Sequence, residues 1–340
     1  MNEKSPGADL SLLVAIPCLN EENTIADVIA GVPNRINGFR QIDILVIDDG
    51  SDDQTAERAR AAGADVVVHR SNMGLGATFR DVVKIAAGRG IDVLVHIDGD
   101  GQFDPCDIPT LVGPIVEGRA EMVTASRFLD RELRPSMPAV KVWGNRRVAG
   151  IVKTLTGKRF HDVSCGFRAY SKEALLRMNL FGSFTYTQEV FLDLVFKELE
   201  ILELPVKVQG TREFGSSRMA SSLGRYAFRS LQIMLRVFIS YRPFSFFSVM
   251  AGVFLSIGIG FLGFLGWHYI QVSAFSPHIW AGFVGGSFVY LGLLTLVIGL
   301  VGDMLVRIRM NQEVILYHQK EEKWRAAAER RASLDDVDEV

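Results

Sequence analysis

Between His96 and Asp104 the chain reads HIDGDGQFD, with Asp98 and Asp100 two residues apart and Gly99 between them. On an extended backbone the glycine lets the chain pass close to a ligand. Paired carboxylates suit a hard divalent cation, Mg²⁺ or Mn²⁺, which takes one or two of them and completes its shell with water and substrate phosphate. Gln102 adds a neutral oxygen two residues on. A Ca²⁺ loop of the EF-hand kind needs a longer acidic run closed by a glutamate, which is absent. Taken alone, the stretch fits a solvated polar turn equally well.

The elements around it decide between the two. Apolar, β-rich runs at Leu12–Ile16, Ile42–Ile47, Asp65–Val68 and Val93–Ile97 alternate with helix-like stretches. Those stretches lie at Glu22–Val32, with Asn20 as its expected N-cap, at Gln54–Ala62 and at Thr78–Ala87. Strands alternating with helices predict an α/β fold with a mainly parallel sheet. Ligands bind such sheets outside the carboxyl ends of the strands. The polar clusters fall there: Pro17 to Glu22, Asp48 to Asp52, Asn72 to Gly76, and Asp98 to Asp100. Gly74-Leu75-Gly76 is not a dinucleotide fingerprint, because Phe79 stands where the third glycine belongs, and no P-loop pattern occurs.

The 340 residues carry a formal charge of −2, which gives no reason to expect nucleic acid, a ligand that calls for a clustered basic face. Cys18, Cys106 and Cys165 are scattered and odd in number, so reduced thiols are expected rather than a disulfide framework or zinc site. The opening MNEKSPGADL is polar and argues against a cleavable signal. Two stretches, 244–267 and 279–301, contain no charged residue, and each exceeds the roughly 20 residues that span a bilayer. Arg225, Arg229, Arg236 and Arg242 precede the first, Arg307 and Arg309 follow the second, and the connector 268–278 has no Lys or Arg. Positive charge marks the cytoplasmic side, so the large soluble part and both termini are expected there. Residues 221–243 read as an interfacial amphipathic region, and 302–340 as a solvated, partly frayed, charged helical tail.

The segments VAIPCLNEENTI, ILVIDDGSDDQT, NMGLGATFRD, HIDGDGQFDP, ASRF and VSCGFRAY resemble the family 2 glycosyltransferases of GT-A fold. Within them the resemblance is to the polyisoprenyl-phosphate group, such as dolichol-phosphate mannose synthases and bactoprenol glucosyltransferases. It implies a GT-A domain over 1–220, ahead of the interfacial region and the two transmembrane helices. Pro17, Leu19 and Glu21 match a nucleotide-lining P-x-Y-x-E motif, with Leu19 replacing the tyrosine. Ile47 and Asp49 match positions that contact base and ribose. Asp98, Gly99, Asp100 and Gln102 match D-A-D-x-Q, implying metal and diphosphate binding. Arg127 matches an arginine near the phosphates, and Arg212 and Arg218 fall in a match to R-x-x-G-x-S-K.

The resemblance implies a nucleotide-sugar donor, UDP- or GDP-linked, and a polyprenyl phosphate acceptor such as undecaprenyl phosphate. The product would be a polyprenyl-phosphate sugar, formed with inversion at a plasma membrane. Asp98, Asp100, Arg127, Arg212 and Arg218 would supply the metal and positive charge for the reaction. The roles of Glu189, Arg146 and Arg147, the choice of sugar, and self-association into a homo-oligomer stay open. A polysaccharide-type enzyme with a hydroxyl acceptor usually carries Q-x-x-R-W and more spans, both missing here. A non-catalytic scaffold would be expected to have lost one of the acids, and all are present.

Overall fold

Strand β1 (Leu10–Cys18) is buried along its whole length but for its first residue, as a strand covered on both faces must be. The computed structural model describes residues 10–130, 132–133, 139–180, 186–209 and 223–338. In it β1 lies near the middle of a seven-stranded sheet with order β3-β2-β1-β4-β6-β5-β7. The other strands are β2 (Phe39–Asp48), β3 (Asp65–Val68), β4 (Val93–His96), β5 (Met122–Ser126), β6 (Arg168–Ser171) and β7 (Ile201–Pro205). Neighbours run parallel except at β6, which is antiparallel to both β4 and β5.

The apolar run Leu12–Ile16 extends through Pro17 to Cys18. The Ala15 carbonyl accepts from Ile97 N on the β4 side at 3.1 Å. Two residues on, Pro17 turns its missing donor the same way, beyond the last β1–β4 pair, Ala15↔His96. No ladder bond is lost there.

On one face, Leu12, Val14 and Ile16 cluster with Ile25 and Val28 of α1 (Ile25–Ala30) and Leu111 of α4 (Ile108–Val116). Burial of each such side chain contributes about 1.5–3 kcal/mol. The alternate β1 residues face the other side, where α3 (Leu75–Gly88) packs. Helices α2 (Thr55–Ala61), α5 (Ala139–Thr156), α6 (Lys172–Arg177) and α7 (Thr187–Phe196) complete the α/β part. Asn20 does not cap α1. It takes a positive φ of 55°, accepts from Asp52 N at 2.9 Å and bonds Ser51 Oγ through its own N–H at 2.8 Å. A short amide tolerates this left-handed conformation, so Asn20 clasps two loops together instead.

The chain divides into two compact units, Met1–Met234 together with Leu316–Val340, and Leu235–Ile315. The second unit contains α9 (Pro243–Val272) and the first part of α10 (Ile279–Asp338), both long and apolar enough to cross a membrane. Only 11% of the most apolar window of each is buried, unlike the core helices of a soluble protein. Glycines let the two helices approach closely: a Cβ on Gly258 would stand 2.8 Å from Gly285 O, and one on Gly292 would stand 2.7 Å from Leu255. Helix α8 spans Leu223–Tyr241, within the expected amphipathic region.

In the first unit, the end of α10 departs from the solvated tail expected of 302–340. Tyr317, Lys320, Trp324, Ala328 and Arg331 recur at helical spacing and dock on the α/β part of the same unit. Lys320 Nζ donates to Met178 O at 2.8 Å and Leu176 O at 3.2 Å, covering the carboxyl end of α6. The Trp324 indole donates to Ile91 O at 2.8 Å, and Lys172 Nζ lies 3.3 Å from its ring centre. Arg331 Nη2 pairs with Asp43 at 2.6 Å. At Gly90 (φ +65°) an added Cβ would come within 2.5 Å of Ala328 N. Lys320 and Arg331 on this stripe are spent on partners, while Lys323, Arg325 and Arg330 on the other faces stay exposed as expected.

Candidate active site

Four acids gather at the carboxyl edge of the sheet, and one buried thiol registers all of them. Burial raises the Cys18 pKa most, and the charges of Glu21, Asp48, Asp98 and Asp100 raise it further. Cys18 is thus a neutral, buried thiol packed among these acids. It also accounts for Gly99, since a Cβ at that position would stand 2.5 Å from Cys18 Sγ. The glycine makes room for sulfur at this position.

The acids differ in what they already hold. Asp48 Oδ1 accepts from both the backbone and the hydroxyl of Ser51. Asp49, only 6% exposed, accepts from Met73 N and Gly74 N at 2.8 Å each, and His69 Nδ1 lies 2.8 Å from its Oδ1. Its carboxylate therefore fixes the 69–74 loop, and a ribose contact there would share a bonded group. Glu21 N donates to Thr55 Oγ1 at 2.9 Å, which ties the first loop to α2, and Thr24 Oγ1 donates to Gly99 O at 2.7 Å. Pro17 and Ile47 are register partners on adjacent strands, and Leu19 follows directly on β1.

Asp98 and Asp100 lie just past β4. Gly166 forms a wall behind Asp98, since a Cβ there would meet Asp98 Oδ2 at 2.7 Å. Asp100 Oδ1 accepts from Gln102 N at 3.1 Å. The Gln102 side chain donates through Nε2 to Gln209 O at 3.1 Å, while Gln209 N donates back to Gln102 O at 3.0 Å. With Nε2 so engaged, only Oε1 of Gln102 could face a metal. Among the described residues no group of three or more His, Cys, Asp or Glu surrounds a metal position. Two carboxylates at an open strand end nonetheless fit Mg²⁺ or Mn²⁺, whose remaining positions go to water and diphosphate oxygens.

Behind this edge lies a buried layer that sequence reasoning missed. His96 Nδ1 lies 2.8 Å from Tyr186 Oη and 3.1 Å from Gly166 O. Burial holds the His96 pKa down at about 3, so the ring is neutral. Phe79 stacks on Tyr186 with ring centres 3.9 Å apart. Arg168, fully buried, donates to Thr187 O at 2.9 Å and Val163 O at 3.0 Å and lies over the Phe191 ring. One signal was present: His96 precedes Asp98 by two, the spacing of one strand face.

Arg127, at the end of β5, does not stand alone. It forms a two-pronged pair with Asp162 and also donates to Ser164. Arg212 and Arg218 lie outside the described residues. Glu189 is buried in the first turn of α7. Arg146 and Arg147 are exposed on α5, where Arg147 stacks on Trp143.

A mainly parallel sheet with acids at its carboxyl edge is the GT-A arrangement. The model of glycosyl transferase family 2 matches residues 13–178. A UDP-N-acetylglucosamine–dolichyl-phosphate N-acetylglucosaminyltransferase from Methanococcus voltae is 30% identical, over 49% of this chain and 72% of its own. A polyprenol monophosphomannose synthase from Mycolicibacterium smegmatis is 29% identical, over 62% of this chain and 81% of its own. Among solved structures, glucosyl-3-phosphoglycerate synthase from Mycobacterium tuberculosis, with Mn²⁺, UDP and product bound, matches with TM-score 0.52. That match has 24% identity and covers 67% of this chain and 80% of the other, and it supports the fold. The chain belongs to glycosyl transferase family 2 and is a glycosyltransferase.

Proposed function

We propose that the protein moves a sugar from a UDP- or GDP-linked donor to a polyprenyl phosphate, with inversion, on the cytoplasmic face of a membrane. One observation carries this. Glu21, Asp48, Asp98 and Asp100 converge on one edge of a family 2 domain whose chain continues into two candidate membrane spans. The names of the Methanococcus and Mycolicibacterium relatives support a lipid-phosphate acceptor. The arginines flanking the apolar stretches support the orientation.

Asp98 and Asp100 are the residues that would hold a divalent ion, Mg²⁺ or Mn²⁺, and the Mn²⁺ in the structural neighbour supports that choice. When bound, the ion supplies charge neutralisation for the departing nucleoside diphosphate. The chain's own residues hold and orient. Gly166 backs Asp98, Gln102 braces Asp100, and Arg127 offers a directed N–H to phosphate. A phosphate monoester has its second pKa near ~6, so the acceptor is already largely a dianion at neutral pH. Its oxygen attacks the anomeric carbon, the bond from that carbon to the nucleoside diphosphate breaks, and the diphosphate leaves with the electron pair. No general base is required, which distinguishes this reaction from one on a sugar hydroxyl.

The test is a donor screen. Membranes carrying the protein are incubated with labelled sugar nucleotides, Mg²⁺ or Mn²⁺, and undecaprenyl phosphate. Label should pass into organic solvent with one donor and only when the lipid is added. Failure with every common UDP- and GDP-sugar would refute the proposal.

A further inference from the structure

Arg127 and Asp162 are 35 residues apart in sequence and meet as a fork on a carboxylate. Nε donates to Oδ2 at 2.6 Å and Nη2 to Oδ1 at 2.9 Å, with a further bond from Nη2 to Ser164 Oγ at 2.8 Å. The Asp162 side chain is fully buried, and that of Arg127 is 23% exposed. Burial alone would lower the Arg127 pKa, but the charge and hydrogen bonds of Asp162 more than offset it and the net shift is upward.

Asp162 is itself held in place from other elements. Glu203 on β7 accepts from Asp162 N at 2.7 Å and from His161 N at 2.8 Å. Asn145 on α5 donates to His161 O at 2.6 Å. The 161–164 loop is thereby fastened to two elements, and its carboxylate is aimed at the end of β5.

This arrangement changes what Arg127 can contribute. Nε and Nη2 are committed, so Nη1 is the nitrogen left to meet a ligand, and Asp162 cancels most of the guanidinium's net charge. Arg127 acts as a fixed, directed donor and not as a loose positive charge. A bidentate pair confers that geometric precision, and small displacements of a positioned group cost rate steeply.

We infer that Asp162 is a positioning residue that orients Arg127 toward a transferring phosphate, and that Glu203 sets Asp162. The functional half of this inference rests on the proposed phosphate role of Arg127. Two readouts separate the inference from that reading. The first is a double-mutant cycle on acceptor-dependent transfer, using Arg127→Gln, Asp162→Asn and the pair. Asp162→Asn should lower kcat/KM about 10- to 100-fold, with no change in the metal concentration that gives half-maximal rate. The double variant should be no worse than Arg127→Gln, because both changes disable one unit. Losses that multiply would overturn the inference.

The second readout needs no turnover. Phenylglyoxal labelling of Arg127, read by peptide mass, should be slow in the wild type and several-fold faster in Asp162→Asn. Equal rates would overturn the inference. A faster rate in a protein with no transfer activity would sink only the functional reading. If Asp162→Asn fails to fold, Glu203→Gln provides the same test: it should raise Arg127 labelling with the same sign and a smaller amplitude, and an unchanged rate would overturn the inference.

Discussion

The two edges of the central sheet are built on opposite principles. At the carboxyl edge, β1, β2 and β4 end in loops whose acids are held close together by bonds to their own backbone. There Asp48 is braced by Ser51, Asp49 by Met73 and Gly74, and Asp100 by Gln102. A cation with a diphosphate would meet these carboxylates there. At the amino edge the charges are paired and covered by the end of α10. Lys320 covers carbonyls, Trp324 is bonded and capped by Lys172, and Arg331 meets Asp43. One edge gathers carboxylates where a metal and a diphosphate would sit, and the other pairs its charges with the end of α10.

If that contrast holds, substitutions at the two edges should fail in different ways. The largest effect belongs to the carboxyl edge. Asp100→Ala should abolish transfer, a loss of at least about 100-fold in kcat/KM, while far-ultraviolet circular dichroism and membrane insertion stay as in the wild type. Retained activity would remove Asp100 from the metal assignment.

Trp324→Ala tests the other edge. It removes a hydrogen bond to Ile91 O and a cation–π contact with Lys172, together with buried area, at a cost of about 2–3 kcal/mol. Thermal melting in detergent should show the lower midpoint, and kcat/KM per folded molecule should be unchanged. A stable variant with reduced kcat would mean that the amino edge also serves the reaction.

A smaller effect, set by pH, comes from the layer between the edges. His96 takes its proton near pH 3 when folded, against 6.5 for an ordinary histidine. Between those values the unfolded chain binds more protons. Stability is therefore full above about pH 6.5 and falls toward pH 3, at up to about 1.4 kcal/mol per pH unit. Denaturant midpoints at pH 7 and pH 5 should differ less in His96→Gln than in the wild type. An equal difference would put the acid sensitivity elsewhere.

Much of the carboxyl edge was legible because strand and loop are local in sequence. Val93–Ile97 followed by Asp98 and Asp100 announces a buried strand and an acidic end within nine residues, and four such clusters imply a shared edge. The departures have physical reasons. Asn20 looked like a helix cap because caps and loop clasps use the same short amide, and only the fold places Ser51 beside it. Arg127 looked like a source of free charge because Asp162, 35 residues away, is invisible to any local pattern. The charged end of α10 looked solvated because a helix with many cations and acids usually is. Its stripe of Tyr317, Lys320, Trp324 and Arg331 could have warned otherwise, although nothing in the sequence marks Ile91 or Asp43 as partners.

The central claim is that the acidic edge serves transfer of a sugar onto a lipid phosphate. It is tested most directly by following both products of the purified protein supplied with polyprenyl phosphate, Mn²⁺ and the nucleotide sugar that the screen selects. The account predicts release of nucleoside diphosphate strictly dependent on the lipid, matched mole for mole by a polyprenyl-phosphate sugar of inverted anomeric configuration. Release of nucleoside monophosphate, retention of configuration, or a sugar joined to a hydroxyl would contradict it.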